Sequence, residues 1–386
     1  MNQQSRNTGR ILFTMMSGLW FVFMVCHVIF TGKISLWNFF GSLPTVLFGL
    51  ISLLFLLVEL AWKRRSGWGI LLASFSLILG ITQIDLNVHM NPESKQVSQR
   101  QGSTRIKIFN WNTNCWDQHK SKDKFYQFLK KQQADIYILQ EYLHGSIDWS
   151  DPKVDKSKEM VDRSKLFRIC SVVPGFPIHY LAIDDRERLR KEFPGYEIRT
   201  DLQFVVISRF PILSSHADYS EQYAVTDVNI NGRPVRLFNI HILLHIEPEN
   251  PLKPYFYQAL HRRFLARQLA FKNLKADISS TKIDYLIAGD FNSTKAMGVM
   301  NDLLQTHNDA AQYSTSLFPL TFEFGGVRWW RFDYELTPKT NSNIRILSYQ
   351  NLEHYGLSDH NPQSLIVNIE TGHSVAGDRS KTASLK

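Results

Sequence analysis

The sequence is short of cysteine, short of net charge over most of its length, and free of the compact motifs that mark many cofactor sites. Three cysteines in 386 residues make no disulfide framework. Cys26 lies in an apolar run, and the remaining pair, Cys115 and Cys170, reads as buried free thiols. Neither a glycine-rich phosphate loop nor a Cys/His zinc spacing occurs, which removes two large classes of nucleotide and metal proteins. Of the formal charge of +9, +5 falls before position 101 (eight basic, three acidic residues) and +4 after it (36 basic, 32 acidic). The larger part therefore lacks the electrostatic footprint of a dedicated polynucleotide binder. No internal repeat or low-complexity tract changes this picture.

What is plentiful comes first in the chain. Residues 11–31, 44–62 and 67–86 are apolar, hold no Lys or Arg, and approach the roughly 20 residues that cross a bilayer as a helix. Their length and close succession predict three retained transmembrane helices, with the lipid bilayer as a partner, rather than a cleaved signal peptide. Arg6 and Arg10 precede the first run, and Lys63, Arg64 and Arg65 separate the second from the third, whereas Lys33 stands alone on the first connection. That asymmetry puts the amino terminus on the cytoplasmic side and, with three spans, the following domain on the exterior. Lys95, Arg100, Arg105 and Lys107 pull the other way.

The predicted organisation is a membrane anchor over 1–86, a polar linker over 87–104, a domain over 105–370 and a disordered tail over 371–386. Within the domain, β-like runs at 106–111, 136–139, 204–207, 224–230, 235–240, 285–288 and 364–369 alternate with helical spacing at 123–133 and 255–274. Asn231-Gly232 is a strong hairpin turn. On the second helix Leu260, Phe264, Leu265 and Leu269 are assigned to the buried face and the basic residues to solvent. The charged stretch 142–196 reads as an insertion with a helix at 184–193. The class is α/β.

Several apolar runs stop at a residue able to bind a metal or carry a proton: Asn112, Glu141, His241, then Asp290 with Asn292; Ser358-Asp359-His360 precedes a last strand. Gathered at one edge, such carboxylates, amides and imidazoles suit Mg²⁺ or Mn²⁺.

The ordered set Phe109-Asn-Trp-Asn112, Leu139-Gln-Glu141, Ser208-Arg-Phe-Pro-Ile212, Asn239-Ile-His241, Gly289-Asp-Phe-Asn292, Arg331-Phe-Asp333-Tyr and Ser358-Asp-His360 resembles the endonuclease/exonuclease/phosphatase superfamily over about 265 residues. The resemblance implies a four-layer sandwich of two β-sheets flanked by helices, and divalent-metal-dependent cleavage of phosphate esters. It implies Glu141 as principal metal ligand with Asn112 and Asp359, and Asp290 with Asn292 activating water. His360, oriented by Asp333, and His241 would stand at the phosphate. A histidine at position 241 resembles the deoxyribonuclease-like, sphingomyelinase-like and inositol-phosphatase-like branches rather than the abasic-site repair enzymes, which carry tyrosine there.

Simpler roles are open to individual residues. Asp333 could pair near Arg331, Trp329 and Trp330 could pack, and His245 reads as surface. The Asn292-Ser293-Thr294 glycosylation pattern is discounted because a sugar would fill the site. The expected activity is phosphodiester, or phosphomonoester, hydrolysis on nucleic acid or phospholipid. A non-catalytic membrane-tethered binding module of the same fold is the alternative.

Overall fold

The computed structural model describes residues 3–62, 66–88, 102–114, 122–142, 185–246 and 250–370. The linker positions 89–101, both Cys115 and Cys170, most of the insertion (143–184) and the tail lie outside the described residues.

Side-chain alternation assigns the layers. On β1 (Ser103–Asn112) Ile106 and Ile108 point inward while Phe109 and Trp111 point outward; on β2 (Ile136–Gln140) Ile136 and Ile138 oppose Tyr137 and Leu139. The inward set meets Val228, Ile230, Val235, Leu237, Leu286 and Ala288 of a second sheet, forming the core between the sheets. The first sheet runs β13 (Ile344–Asn351), β14 (Gln363–Glu370), β1, β2, β4 (Phe204–Ser208), β3 (Glu197–Asp201). The second runs β5 (Ile212–Ala217), β6 (Tyr223–Ile230), β7 (Arg233–His241), β8 (Asp284–Asp290), β12 (Asp333–Pro338), β9 (His307–Asp309). A separate hairpin pairs β10 (Phe322–Phe324) with β11 (Val327–Trp330).

Outside the first sheet lie α5 (Lys122–Gln132) and α6 (Arg186–Glu192), which bury Phe125, Phe128, Leu129 and Leu189. Outside the second lie α7 (Pro254–Ser280) and α8 (Asn301–Thr306), which bury Phe271, Leu274, Ile278 and Leu303. Two mixed sheets flanked by helices make the α/β sandwich. The Asn231-Gly232 turn joins β6 to β7 with φ of 51° and 88°, the left-handed pair a tight hairpin needs.

On α7 the sequence-based face is corrected. Leu260 and Phe264 are buried, but Leu265 and Leu269 are 53% and 54% exposed, and Arg263 and Arg267 take the inward positions. Both guanidinium groups are consumed by backbone carbonyls beside the site, a demand that apolar periodicity does not register.

The three-span expectation is also corrected. The amino-terminal part forms α1 (Gln3–Phe30), α2 (Ser35–Gly41), α3 (Val46–Ala61) and α4 (Gly67–Gln83). Among the described residues only α1 is long and apolar enough to cross a bilayer by itself, over Thr8–Phe30; α2 and α3 qualify as one span broken by a 75° bend. The 17 residues of α4 rise about 26 Å, short of a hydrocarbon core of about 30 Å. α1, α3 and α4 pack together, with Trp20 donating to the Ser52 hydroxyl at 2.8 Å and Gly80 meeting the backbone of Phe48. Their outer faces expose Leu12, Leu19, Leu54 and Ile78.

Candidate active site

Strand register assembles the site. In the second sheet β7 and β8 run parallel with His241 opposite Asp290, and antiparallel β12 sets Asp333 opposite Asp290 on the other side. Three site residues thus form one row across three adjacent strands. In the first sheet Asn112 is opposite Gln140, so Glu141 lies one residue beyond the pairing and turns with φ of 59°. Gly289 makes the row possible. Its φ is +139°, and a Cβ there would sit 2.1 Å from the Ile240 carbonyl oxygen.

Asp290 is the hub. Its Oδ2 accepts from Asn112 Nδ2 at 3.0 Å and Asn292 Nδ2 at 3.1 Å, and its Oδ1 from the Asn292 amide at 2.7 Å. His360 Nε2 approaches Oδ2 to 3.6 Å, and His241 Nε2 to 3.8 Å. Glu141 Oε1 accepts from Asn112 Nδ2 at 3.2 Å and lies 3.4 Å from His241 Nε2. His360 Nδ1 is 2.9 Å from Asp333 Oδ2. Asn112, Glu141, His241, Asp290, Asn292, Asp333 and His360 are therefore one connected cluster. Asp359 stands at the same edge, touched by the Ser358 hydroxyl at 3.5 Å, and acts on His360 and Glu141 through charge.

The electrostatics separate the two histidines. Burial holds the His241 imidazole below its ordinary range, opposed by Glu141. Burial would lower His360 as well, but Asp333 and Asp290 beside it reverse this and hold it well above the ordinary range. Asp290 is pushed up to about 7 by burial, against the pull of His360. Asp359 is also raised by burial.

Several site contributors escaped the sequence reading. Gln203, fully buried in the turn just before β4, presents Oε1 to His241 Nδ1 at 2.5 Å. Its own amide donates to the Glu221 carbonyl at 3.0 Å, so the oxygen must face the ring and Nδ1 must carry the proton. The lone pair of neutral His241 Nε2 then faces carboxylate oxygens of Glu141 and Asp290. Two carboxylates and an imidazole lone pair converging there are the environment a cation relieves, and oxygen-rich Asn112, Glu141 and Asp359 are the donor type a hard divalent ion takes. The buried trio Asp290, Asp333 and His360 also lies within reach of one ion, but His360 is already hydrogen-bonded to Asp333 and lies 3.6 Å from Asp290.

His245 is corrected from surface to core. It is 5% exposed, with Nδ1 3.2 Å from the Asn292 carbonyl. Arg267 donates to the carbonyls of Leu243 and Asn292 and to the Ser293 hydroxyl, so it holds the loops after β7 and β8 in one grip. Beneath the site, Gln140 donates to Asn110 and Asn239, and Asn110 donates to Glu335 and Gln363, all fully buried between the sheets. Arg331 pairs with Asp309 at 2.6 Å, leaving Asp333 to His360. Trp330 packs on Phe332 in a stacked contact, while Trp329 is 37% exposed.

Among solved structures, the chain is similar to an endonuclease/exonuclease/phosphatase family protein from Leptotrichia buccalis at 16% identity, covering 68% of this chain and 99% of that one, with a TM-score of 0.43. The protein of that name from Bacteroides vulgatus matches at 16% identity over 69% and 100%, with a TM-score of 0.42. A variant of beta toxin from Staphylococcus aureus with bound magnesium ions matches at 14% over 69% and 100%, also at 0.42. No curated protein matches the sequence. A family model described as Endonuclease/Exonuclease/phosphatase family matches residues 109–360, more than half of the chain. Those limits run from Phe109 on β1 to His360, enclosing every residue of the cluster, and the chain belongs to the endonuclease/exonuclease/phosphatase family.

Proposed function

We propose that this chain is a membrane-anchored, divalent-metal-dependent phosphoesterase that hydrolyses phosphodiester bonds. One arrangement carries the reading: Asp290, near neutrality in its affinity for a proton, lies between a neutral His241 and an Asp333-bound imidazolium at His360. A base and an acid set side by side are what hydrolysis at neutral pH requires. Asp290 takes the proton of the attacking water, which Asn292 helps to orient. As the water oxygen bonds to phosphorus the ester P–O bond breaks, and His360, kept protonated and aligned by Asp333, donates its Nε2–H to the leaving oxygen. His241, fixed by Gln203, is the second imidazole at the phosphate. Asn112, Glu141 and Asp359 would hold Mg²⁺ or Mn²⁺. When bound there, the ion supplies neutralisation of phosphate charge and polarisation of the phosphoryl oxygen.

The bilayer is engaged through α1, alone or with the bent α2–α3 pair. An anchored domain meets membrane-borne phosphodiesters at high effective concentration, which favours a phospholipid or sphingolipid over nucleic acid. The test is hydrolysis by the full chain in detergent micelles with Mg²⁺, on bis-p-nitrophenyl phosphate, plasmid DNA, RNA and sphingomyelin, beside Asp290→Ala and His360→Ala. Each variant should lose about 10²- to 10⁴-fold. Folded, metal-loaded wild-type protein that cleaves none of the four would move the alternative, a binding module of this fold, ahead.

A further inference from the structure

Residues 291–298 carry the chain away from Asp290 and Asn292, and Ser293, Thr294, Ala296 and Met297 within them are fully buried. Much of what buries them comes from the amino-terminal helices. Thr294 Oγ1 donates to the Gly41 carbonyl at 2.9 Å. The Thr31 hydroxyl bridges the loop, donating to the Ala296 carbonyl at 2.8 Å and accepting from the Gly298 amide at 3.2 Å. His27 Nε2 donates to the same Ala296 carbonyl at 3.1 Å. Backbones touch as well: a Cβ on Gly298 would lie 2.5 Å from the Thr31 carbonyl oxygen, and one on Gly32 would lie 2.8 Å from the Val299 amide nitrogen. The segment leading into Asp333 meets the same unit. Trp330 Nε1 donates to the Ser42 carbonyl at 2.8 Å, and Arg331 lies 3.7 Å from Asp85.

We propose that residues 27–42 position the catalytic carboxylates, with Thr31 the positioning residue on which their docking turns. Asn292 sits at φ 45°, a left-handed conformation open to asparagine, and its place is constrained from two sides. One side of that constraint is Arg267 and His245 on the Asn292 carbonyl; the other is the Thr294–Gly41 and Thr31–Ala296 contacts two to four residues later. Releasing the second side lets Asn292 relax and moves Asp290 relative to His360. Misplacement by about 1 Å costs on the order of 10²-fold in rate. The amino-terminal helices are thereby part of the site and not only its mount.

The kinetic half rests on the phosphoesterase reading, so the test has two readouts. Full-length chain in lipid nanodiscs is compared with Thr31→Val, which keeps the shape and loses both hydrogen bonds, and with Thr31→Ser, which keeps the hydroxyl. Amide hydrogen exchange across 290–300 should quicken about tenfold in the valine variant while the β6–β7 hairpin is unchanged. For bis-p-nitrophenyl phosphate, kcat should fall about tenfold with KM within about twofold, and serine should restore it. Unchanged exchange overturns the proposal, as does faster exchange with kcat intact. If Thr31→Val does not fold, Trp330→Phe removes the bond to Ser42 while keeping an aromatic ring beside Phe332, and an undiminished kcat there is equally fatal. Wild-type protein without hydrolytic activity defeats the phosphoesterase reading, and exchange alone then decides whether the helices hold the loop.

Discussion

His241 and His360 differ in what stands behind the ring, an amide for one and a carboxylate for the other. Gln203→Glu would place a negative charge against His241 Nδ1–H and favour the imidazolium. The acidic limb of the pH–rate profile should then move up by about one unit or more, because a higher pH is needed to keep the ring neutral; an unmoved limb would show that His241 does not titrate in the rate. His245 makes a claim on stability. Burial first, then Arg267, depresses it to about 3. The unfolded chain takes up this proton near pH 6.5 and the folded chain only near 3, so its contribution is complete above the unfolded pKa and is lost as pH falls across that interval. His245→Gln, which can still donate to Asn292, should flatten the fall in thermal midpoint between pH 6 and about 4. An identical slope would argue against a buried neutral ring.

At the level of elements, Gly289→Ala tests the row that joins β7, β8 and β12. A side chain aimed at the Ile240 carbonyl from a left-handed φ leaves no cheap adjustment. We expect a loss of roughly 3 kcal/mol or more, seen as a depressed thermal midpoint or insoluble protein. Strands that are apolar on alternate or both faces were legible in sequence, as 106–111, 136–139 and 235–240 were. Glu197–Asp201, Val327–Trp330 and Asp333–Pro338 were not, because edge position, hairpin pairing and a buried Glu335 break the alternation. The residues of the candidate site, which the fold brings together, were legible because they end strands and fall within ordered motifs. Gln203 and Arg267 were not, since a lone glutamine in a turn and an arginine on a helix carry no periodic mark. α4 was read as a span because composition reports apolarity, whereas crossing also requires length.

For the molecule as a whole, the prediction concerns metal. Mg²⁺ at about 100 times its dissociation constant should raise stability by about 2.7 kcal/mol, a shift of a few degrees in thermal midpoint that EDTA reverses and Glu141→Gln abolishes. A midpoint indifferent to Mg²⁺ and EDTA would count against the oxygen site at Asn112, Glu141 and Asp359. The docking of the helices onto the loop after Asp290 also sets a timetable. Thr31 and Ala296 are 265 residues apart in sequence. At a synthesis rate of about 5–20 residues per second, the helices leave the ribosome roughly 13–50 s before their binding surface exists. During that interval the hydroxyl of Thr31 and the carbonyls of Gly41 and Ser42 lack their eventual partners, and water or lipid headgroups must serve in their place. On the membrane-anchored reading proposed above, a polypeptide stalled before His360 would already carry its apolar helices and still lack a member of the cluster around Asp290.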